Sequence, residues 1–216
     1  MDSDDFYPNY FTLELMYNNM IKNEVLICGG GLRKFTQKKN KIISFEKNDI
    51  LFQKNGIINY SNYQYDYYYQ RFIYNKNFLK KNKIYFPNYL RYQDPPFFIK
   101  AMGIAKKFYS LKNHTYMYRI MNKILKYNKR RIIDTYKGIR DSLFLSHQMN
   151  LNKLYCRVLN RLNTDSFING AKKYIKYKEL KYIISKILTS IDKNILRKQN
   201  FTFVEHKFYK NLKIKQ

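Results

Sequence analysis

Apolar residues recur along this chain in distinct rhythms, and each rhythm predicts a different element. Between Pro8 and about Ile21, Phe11, Leu15 and Met16 return at helical intervals as the inward face of a helix, and Lys22-Asn23 closes the pattern. Glu24-Val25-Leu26-Ile27-Cys28 is then a short apolar run ending in Gly29-Gly30-Gly31, as a buried strand would be. Helix followed by short strand is the order of an α/β sheet. The glycines have the look of a phosphate-binding loop, but no Lys-Ser or Lys-Thr follows them. Close backbone approach, or a bend at the strand end, is the better reading.

The rhythm weakens over residues 32–69, which are rich in Lys, Asn and Tyr and read mostly as loop with short strands. The aromatic run at Tyr65-Asp66-Tyr67-Tyr68-Tyr69 can stack on bases, pack on sugar rings, or simply line the surface. Gln70 to Leu79 reads as an extended piece entering a short helix, and Lys83 to Pro87 as a second extended piece. Asp94 ahead of Pro95 is a helix start, an N-cap with proline in the first turn. A stripe of Phe97, Ala101, Ile104, Ala105 and Phe108 carries that helix to about Leu111. Thr115 to Ile120 alternates as a strand, with Tyr116 and Tyr118 on one face and Met117 on the other. From Lys129 onward the spacing is helical throughout, and no proline follows Pro96. Three to five helices are expected there.

Composition narrows the class. The 216 residues are 45% hydrophobic, enough for one ordinary domain with or without an appendage, and wholesale disorder is excluded. No window reaches the ~18 uninterrupted apolar residues of a membrane-spanning helix. The formal charge is +27 and is unevenly placed. Residues 1–105 hold fifteen Lys and Arg against nine Asp and Glu; residues 106–216 hold twenty-seven against six. The second half would attract anionic lipid or nucleic acid through its field. Part of that charge follows from codon bias, since Lys, Asn, Ile and Tyr are all abundant. Cys28 and Cys156 match no metal-ligand spacing and are expected to be reduced thiols of a cytoplasmic protein. His114, His147 and His206 are scattered, and no nucleophilic triad, Walker loop or dinucleotide fingerprint is present.

The acidic residues have one local concentration. Asp2, Asp4 and Asp5 are three of fifteen, within four positions. On a strand, Asp2 and Asp4 would share a face, and two carboxylates that close repel unless a cation lies between them. A hard divalent ion completed by substrate phosphates fits such a pair. Caps for a helix beginning near Pro8 are the other reading.

The motifs also fall in a telling order. Asp2-Ser3-Asp4-Asp5 precedes Val25–Cys28 and its glycines. Arg71-Phe72-Ile73-Tyr74 with Phe78-Leu79 comes next, then Ile84 with Phe86-Pro87. Tyr92-Gln93-Asp94-Pro95-Pro96-Phe97-Phe98 and Tyr116-Met117-Tyr118-Arg119 complete the series. This order resembles the second half of a family-2 glycosyltransferase of the GT-A fold, of the bacterial surface-polysaccharide kind, over residues 1–120. The resemblance implies an α/β fold: a partial GT-A (Rossmann-like) mixed sheet at 1–120, the acceptor-side half, followed by a basic helical tail at 121–216.

It also implies roles. Asp2 and Asp4, with Asp5 adjacent, would hold Mn²⁺ or Mg²⁺ against the diphosphate of a nucleotide-sugar, a UDP-sugar in this kind of enzyme. Asp94 would be the general base, with Gln93 standing where a Glu usually precedes it. Tyr92, Gln93 and Arg71 fall on the acceptor side. The implied reaction is metal-dependent, inverting transfer of a sugar to a glycan or lipid-linked acceptor in cell-surface polysaccharide synthesis. The place would be the inner membrane face, with the tail on anionic lipid. In such enzymes the Asp-x-Asp motif lies deep within the domain. Here it opens the chain, so an N-terminally truncated product, with a partner chain supplying the nucleotide-binding half, is expected. The alternative from another class is a basic, non-enzymatic nucleic-acid- or membrane-binding protein. No nucleic-acid motif supports its first form.

Overall fold

The computed structural model describes residues 3–38, 41–45, 49–120 and 128–203. The chain divides into two compact units. The first is Met1–Tyr63, Tyr67–Tyr85 and Ala101–Leu125; the second is Gln64–Asp66, Phe86–Lys100 and Lys126–Gln216.

The first unit is built on a mixed sheet. It contains α1 (Thr12–Lys22), β1 (Ile27–Lys38), β2 (Lys41–Phe45), β3 (Gly56–Asn59), α2 (Tyr60–Tyr63), β4 (Phe72–Tyr74), α3 (Lys76–Lys81) and β5 (Lys107–Arg119). The strand order is β2-β1-β5-β3, with β4 also on β1. β1 and β5 run parallel, whereas β2 and β4 are antiparallel to β1 and β3 is antiparallel to β5. One edge of β1 serves two partners: Ile27–Gly29 pairs with β4 and Phe35–Lys38 with β2. Met16 and Met20 of α1 pack with Val25, Cys28 and Leu111. Phe52, Tyr63, Phe72 and Phe108 form a second, aromatic cluster with ring centroids 5.2–6.3 Å apart.

β1 is the largest departure from the sequence pattern. A strand ending at the glycines is expected, yet it runs through them to Lys38, burying Leu32 and Phe35 completely. The glycines are there because neighbouring chain comes too close for a side chain. A Cβ on Gly29 would lie 2.3 Å from Phe72 Cδ1, and one on Gly30 2.3 Å from the Asn113 carbonyl oxygen. The β1–β5 register shifts at this point, so β5 bulges against backbone.

The acidic start also differs. Ser3 and Asp4 form a turn rather than a strand, and Phe6 makes a single antiparallel bridge to Met117. α1 begins at Thr12, where the Asn9 side chain accepts from Phe11 N–H and Thr12 Oγ1. The described aspartates therefore do not cap it. Lys83 to Pro87 is not a strand; Lys83 takes φ 50° and only Ile84 is buried.

α4 spans Asp94–Ala105, with Asp94–Lys100 in the second unit and Ala101–Ala105 in the first. It stops short of Leu111 because Lys106 turns into the left-handed region (φ 62°) and the chain enters β5. Phe108 is thus a strand residue.

Five further helices lie among the described residues of the second unit: α5 (Lys129–Gln148), α6 (Asn152–Arg161), α7 (Asp165–Tyr174), α8 (Lys178–Thr189) and α9 (Lys193–Lys198). The helically spaced Ile132, Ile133, Tyr136, Ile139 and Leu143 of α5 are at most 4% exposed. Asn128 caps α5 and Asp192 caps α9, each accepting a hydrogen bond from a first-turn N–H. These helices are not a tail set apart at residue 121, since Phe86–Lys100 and Gln64–Asp66 belong to the same compact unit. Cys28 and Cys156 are buried free thiols, and burial pushes Cys28 up to about 12.

Candidate functional site

In the first unit, the acidic turn is fastened by Asp5. This carboxylate is 7% exposed; Oδ2 accepts from the Tyr116 hydroxyl (2.9 Å) and Oδ1 from the Arg119 N–H (2.8 Å). Asp4, one residue earlier, is half-buried and makes no hydrogen bond or ion pair among the described residues. Neighbouring aspartates thus differ in kind: one carboxylate is committed to the end of β5, the other is uncommitted. Asp2 lies outside the described residues.

Arg71, read as an acceptor-side residue, sits in the core at 1% exposure. It donates to the Gly30 carbonyl (3.0 Å) and to the Tyr63 hydroxyl, with its guanidinium over the rings of Phe52 (4.7 Å) and Phe72 (5.0 Å). Burial lowers its pKa. The Thr115 hydroxyl donates to the Arg71 carbonyl and accepts from Gly30 N–H, tying β5, β1 and the start of β4 together.

Asp94, in the second unit, is the first residue of α4, a position that favours a negative charge. The segment leading to it is held at several points. Leu90 N–H donates to the buried Asp134 of α5 (2.9 Å). The Tyr89 hydroxyl donates to Asp141 Oδ2 (2.6 Å); burial, then this bond, pushes Tyr89 up to about 12. Tyr92 adopts φ 65°, and its carbonyl lies where a Cβ on Gly138 would come within 2.4 Å. Its hydroxyl accepts from Arg161. Arg161 in turn makes a two-pronged ion pair with Asp66, at 2.6 and 2.7 Å, and Asp66 is 1% exposed. Gln93 is half-buried between Tyr92 and Asp94.

Asp66, Asp134, Gly138, Asp141 and Arg161 were not legible as site-building residues. Their partners lie 44 to 95 residues away, and no local motif marks such a pair. A sequence signal exists only for Asp66, an acid inside an aromatic run in a basic protein. His114 faces Asp49 (2.8 Å) beside Arg33, and His147 faces Asp192 (3.0 Å). At Asp49, burial raises the pKa, but the bonds to Arg33 and His114 hold it below the usual carboxylate value. Among the described residues no group of three His, Cys, Asp or Glu is arranged to hold a metal.

The architecture, a mixed α/β sheet followed by helices, is that of a partial GT-A, Rossmann-like fold with a C-terminal helical region. No protein-family model and no curated protein matches the sequence. The backbone is similar to solved structures of TarS from S. aureus. Against TarS 1–349 in complex with UDP-GlcNAc the TM-score is 0.64 at 17% identity, covering 90% of this chain and 57% of that one. Against TarS 1–349 in complex with UDP it is 0.55 at 18%, covering 82% and 49%. Against the longer TarS structure it is 0.58 at 18%, covering 90% and 34%. This chain therefore spans between about a third and a little over half of the solved chains it resembles.

Proposed function

We propose that this chain is part of a nucleotide-sugar glycosyltransferase. The fold it shares, over nine-tenths of its length, with a protein solved in complex with UDP-GlcNAc carries this reading. The reaction is transfer from a UDP-sugar to a hydroxyl of a glycan or lipid-linked acceptor in cell-surface polysaccharide synthesis. Its setting is the cytoplasmic face of the membrane.

Asp94 is the general base. Its carboxylate takes the proton of the acceptor hydroxyl while that oxygen attacks the anomeric carbon, and the bond to the diphosphate breaks on the opposite face, inverting the centre. The bonds to Tyr89, Leu90 and Tyr92 support this role, because a base contributes only when its approach to the proton is held. Tyr92 and Gln93 flank the acceptor, and Gln93 leaves Asp94 as the lone carboxylate of its motif. Arg71 acts indirectly, by shaping the sheet beneath Gly30.

The donor side suits a hard cation. Asp4 is uncommitted among the described residues, whereas Asp5 is engaged as an anchor. Asp2 and Asp4 would hold Mn²⁺ or Mg²⁺, which when bound supplies Lewis-acid stabilisation of the departing diphosphate. Calorimetric titration with UDP-GlcNAc, with and without Mn²⁺, tests the reading. Metal-dependent binding that disappears in Asp4→Asn is expected. Asp94→Asn should bind donor normally but lose transfer by roughly 10²–10⁴-fold. Absence of donor binding by the wild-type chain would sink the donor assignment.

A further inference from the structure

The helical unit concentrates exposed cations on two successive helices. Lys172, Lys173 and Lys176 stand exposed at the end of α7 and just beyond it, and Lys178, Lys181 and Lys186 stand exposed on α8. The opposite side of α8, Leu180, Ile183, Ile184, Ile187 and Leu188, is buried. Glu179, the acid of α8, is ion-paired with Lys137 of α5 at 2.7 Å and offsets little of this charge. No helix of the described residues is long and apolar enough to cross a membrane, so any attachment through these helices is peripheral.

We infer that this lysine face of α7 and α8 docks on a bilayer surface bearing anionic lipid headgroups. The inference is independent of the catalytic reading. Lysine ammonium groups meet phosphate oxygens as point charges, without fixed geometry, and tyrosine is suited to headgroup depth. Single-stranded nucleic acid fits less well, because base stacking needs an open ring face. The rings here already carry cations: Lys129 lies 4.2 Å and Lys176 5.6 Å from the centroid of Tyr177. Lys173 lies 5.6 Å from the centroid of Tyr174; Tyr182, with Lys186 5.5 Å from its centroid, stays 61% exposed. Tyr174 and Tyr177 also stack on each other, 6.3 Å apart at 23°.

The test is co-sedimentation of the full chain with vesicles of phosphatidylcholine alone or mixed with phosphatidylglycerol. Binding to the mixed vesicles is expected, lost at about 1 M salt where charges are screened within about 3 Å. The triple variant Lys172→Glu/Lys176→Glu/Lys181→Glu should bind at least about a hundredfold more weakly, at near 1 kcal/mol per basic residue. Circular dichroism should show it folded as the wild type is. The same charge change on the first unit, Lys80→Glu/Lys81→Glu/Lys112→Glu, should cost much less. Equal loss in both variants would mean that net charge alone binds, and would overturn the assignment. So would binding to phosphatidylcholine alone, no vesicle binding, or RNA binding by this face with vesicles ignored.

Discussion

Two buried arginines are stabilised by different means, and their substitutions should differ accordingly. Arg161 shares its charge with the fully buried Asp66 carboxylate. Arg161→Met would leave Asp66 a buried, uncompensated ion and is expected to cost about 3–5 kcal/mol in urea denaturation. Adding Asp66→Leu should recover a large part of that loss. Among the described residues Arg71 meets no carboxylate; its partners are a carbonyl, a hydroxyl and two aromatic faces. Arg71→Lys is expected to fail as a replacement, since an ammonium cannot span those partners in one plane. Asp4 and Asp5 make a parallel contrast. Asp5→Ala removes an acceptor from the Tyr116 hydroxyl and from the Arg119 N–H and should cost about 1–3 kcal/mol. Asp4→Asn should change stability by less than about 0.5 kcal/mol, because its carboxylate has no partner among the described residues. A shared denaturation series separates the structural acid from the proposed metal ligand.

At the scale of elements, the decisive contact is between the segment before α4 and helix α5. Gly138 admits the Tyr92 carbonyl, so Gly138→Ala would press a methyl against it at 2.4 Å. α5 should remain helical by circular dichroism, while amide exchange over residues 86–94 accelerates and Asp94 loses its orientation. Unchanged exchange there would refute the clamp. The Tyr89–Asp141 bond has a pH signature. With Tyr89 raised from 10.0 to about 12, its contribution is present below about pH 10 and fades as pH rises towards about 12. The stability difference between wild type and Tyr89→Phe should therefore shrink across that window. The sheet has a comparable tight point at Gly30, where a methyl would meet the Asn113 carbonyl and the Thr115 side chain at once. That environment explains a glycine cluster without any phosphate.

For the whole molecule, a formal charge of +27 on 216 residues makes self-repulsion a measurable term. Melting temperature should rise between low salt and about 0.15 M, where the Debye length is about 8 Å, and a flat response would show that the lysines are already dispersed. Saturating donor should raise the melting temperature as well, by an amount equivalent to about 2.7 kcal/mol at a hundred times the dissociation constant. That shift should require Mn²⁺ or Mg²⁺ and vanish in Asp4→Asn.

Local chemistry by itself determined several of the elements. The periodicity of α5, the strand through Thr115 to Arg119, and Asp94 at a helix start stand as read, because each depends on residues a few positions apart. In α1 only Met16 of the expected inward trio is buried, and Phe11 and Leu15 are exposed. The order of short motifs carried the resemblance to the GT-A architecture, although the motifs themselves fall on turn, strand and helix alike. Tertiary structure decided what distance along the chain conceals. It carried β1 past its glycines, since pairing with β4 and β5 outweighs the local break. It took Arg71 into the core and used Asp5 as an anchor. It also gave the segment before Asp94 to the helices, through Asp66, Asp134, Gly138 and Arg161. Hydrogen bonds and close contacts between residues so far apart leave no periodic trace, and only the folded chain brings them together.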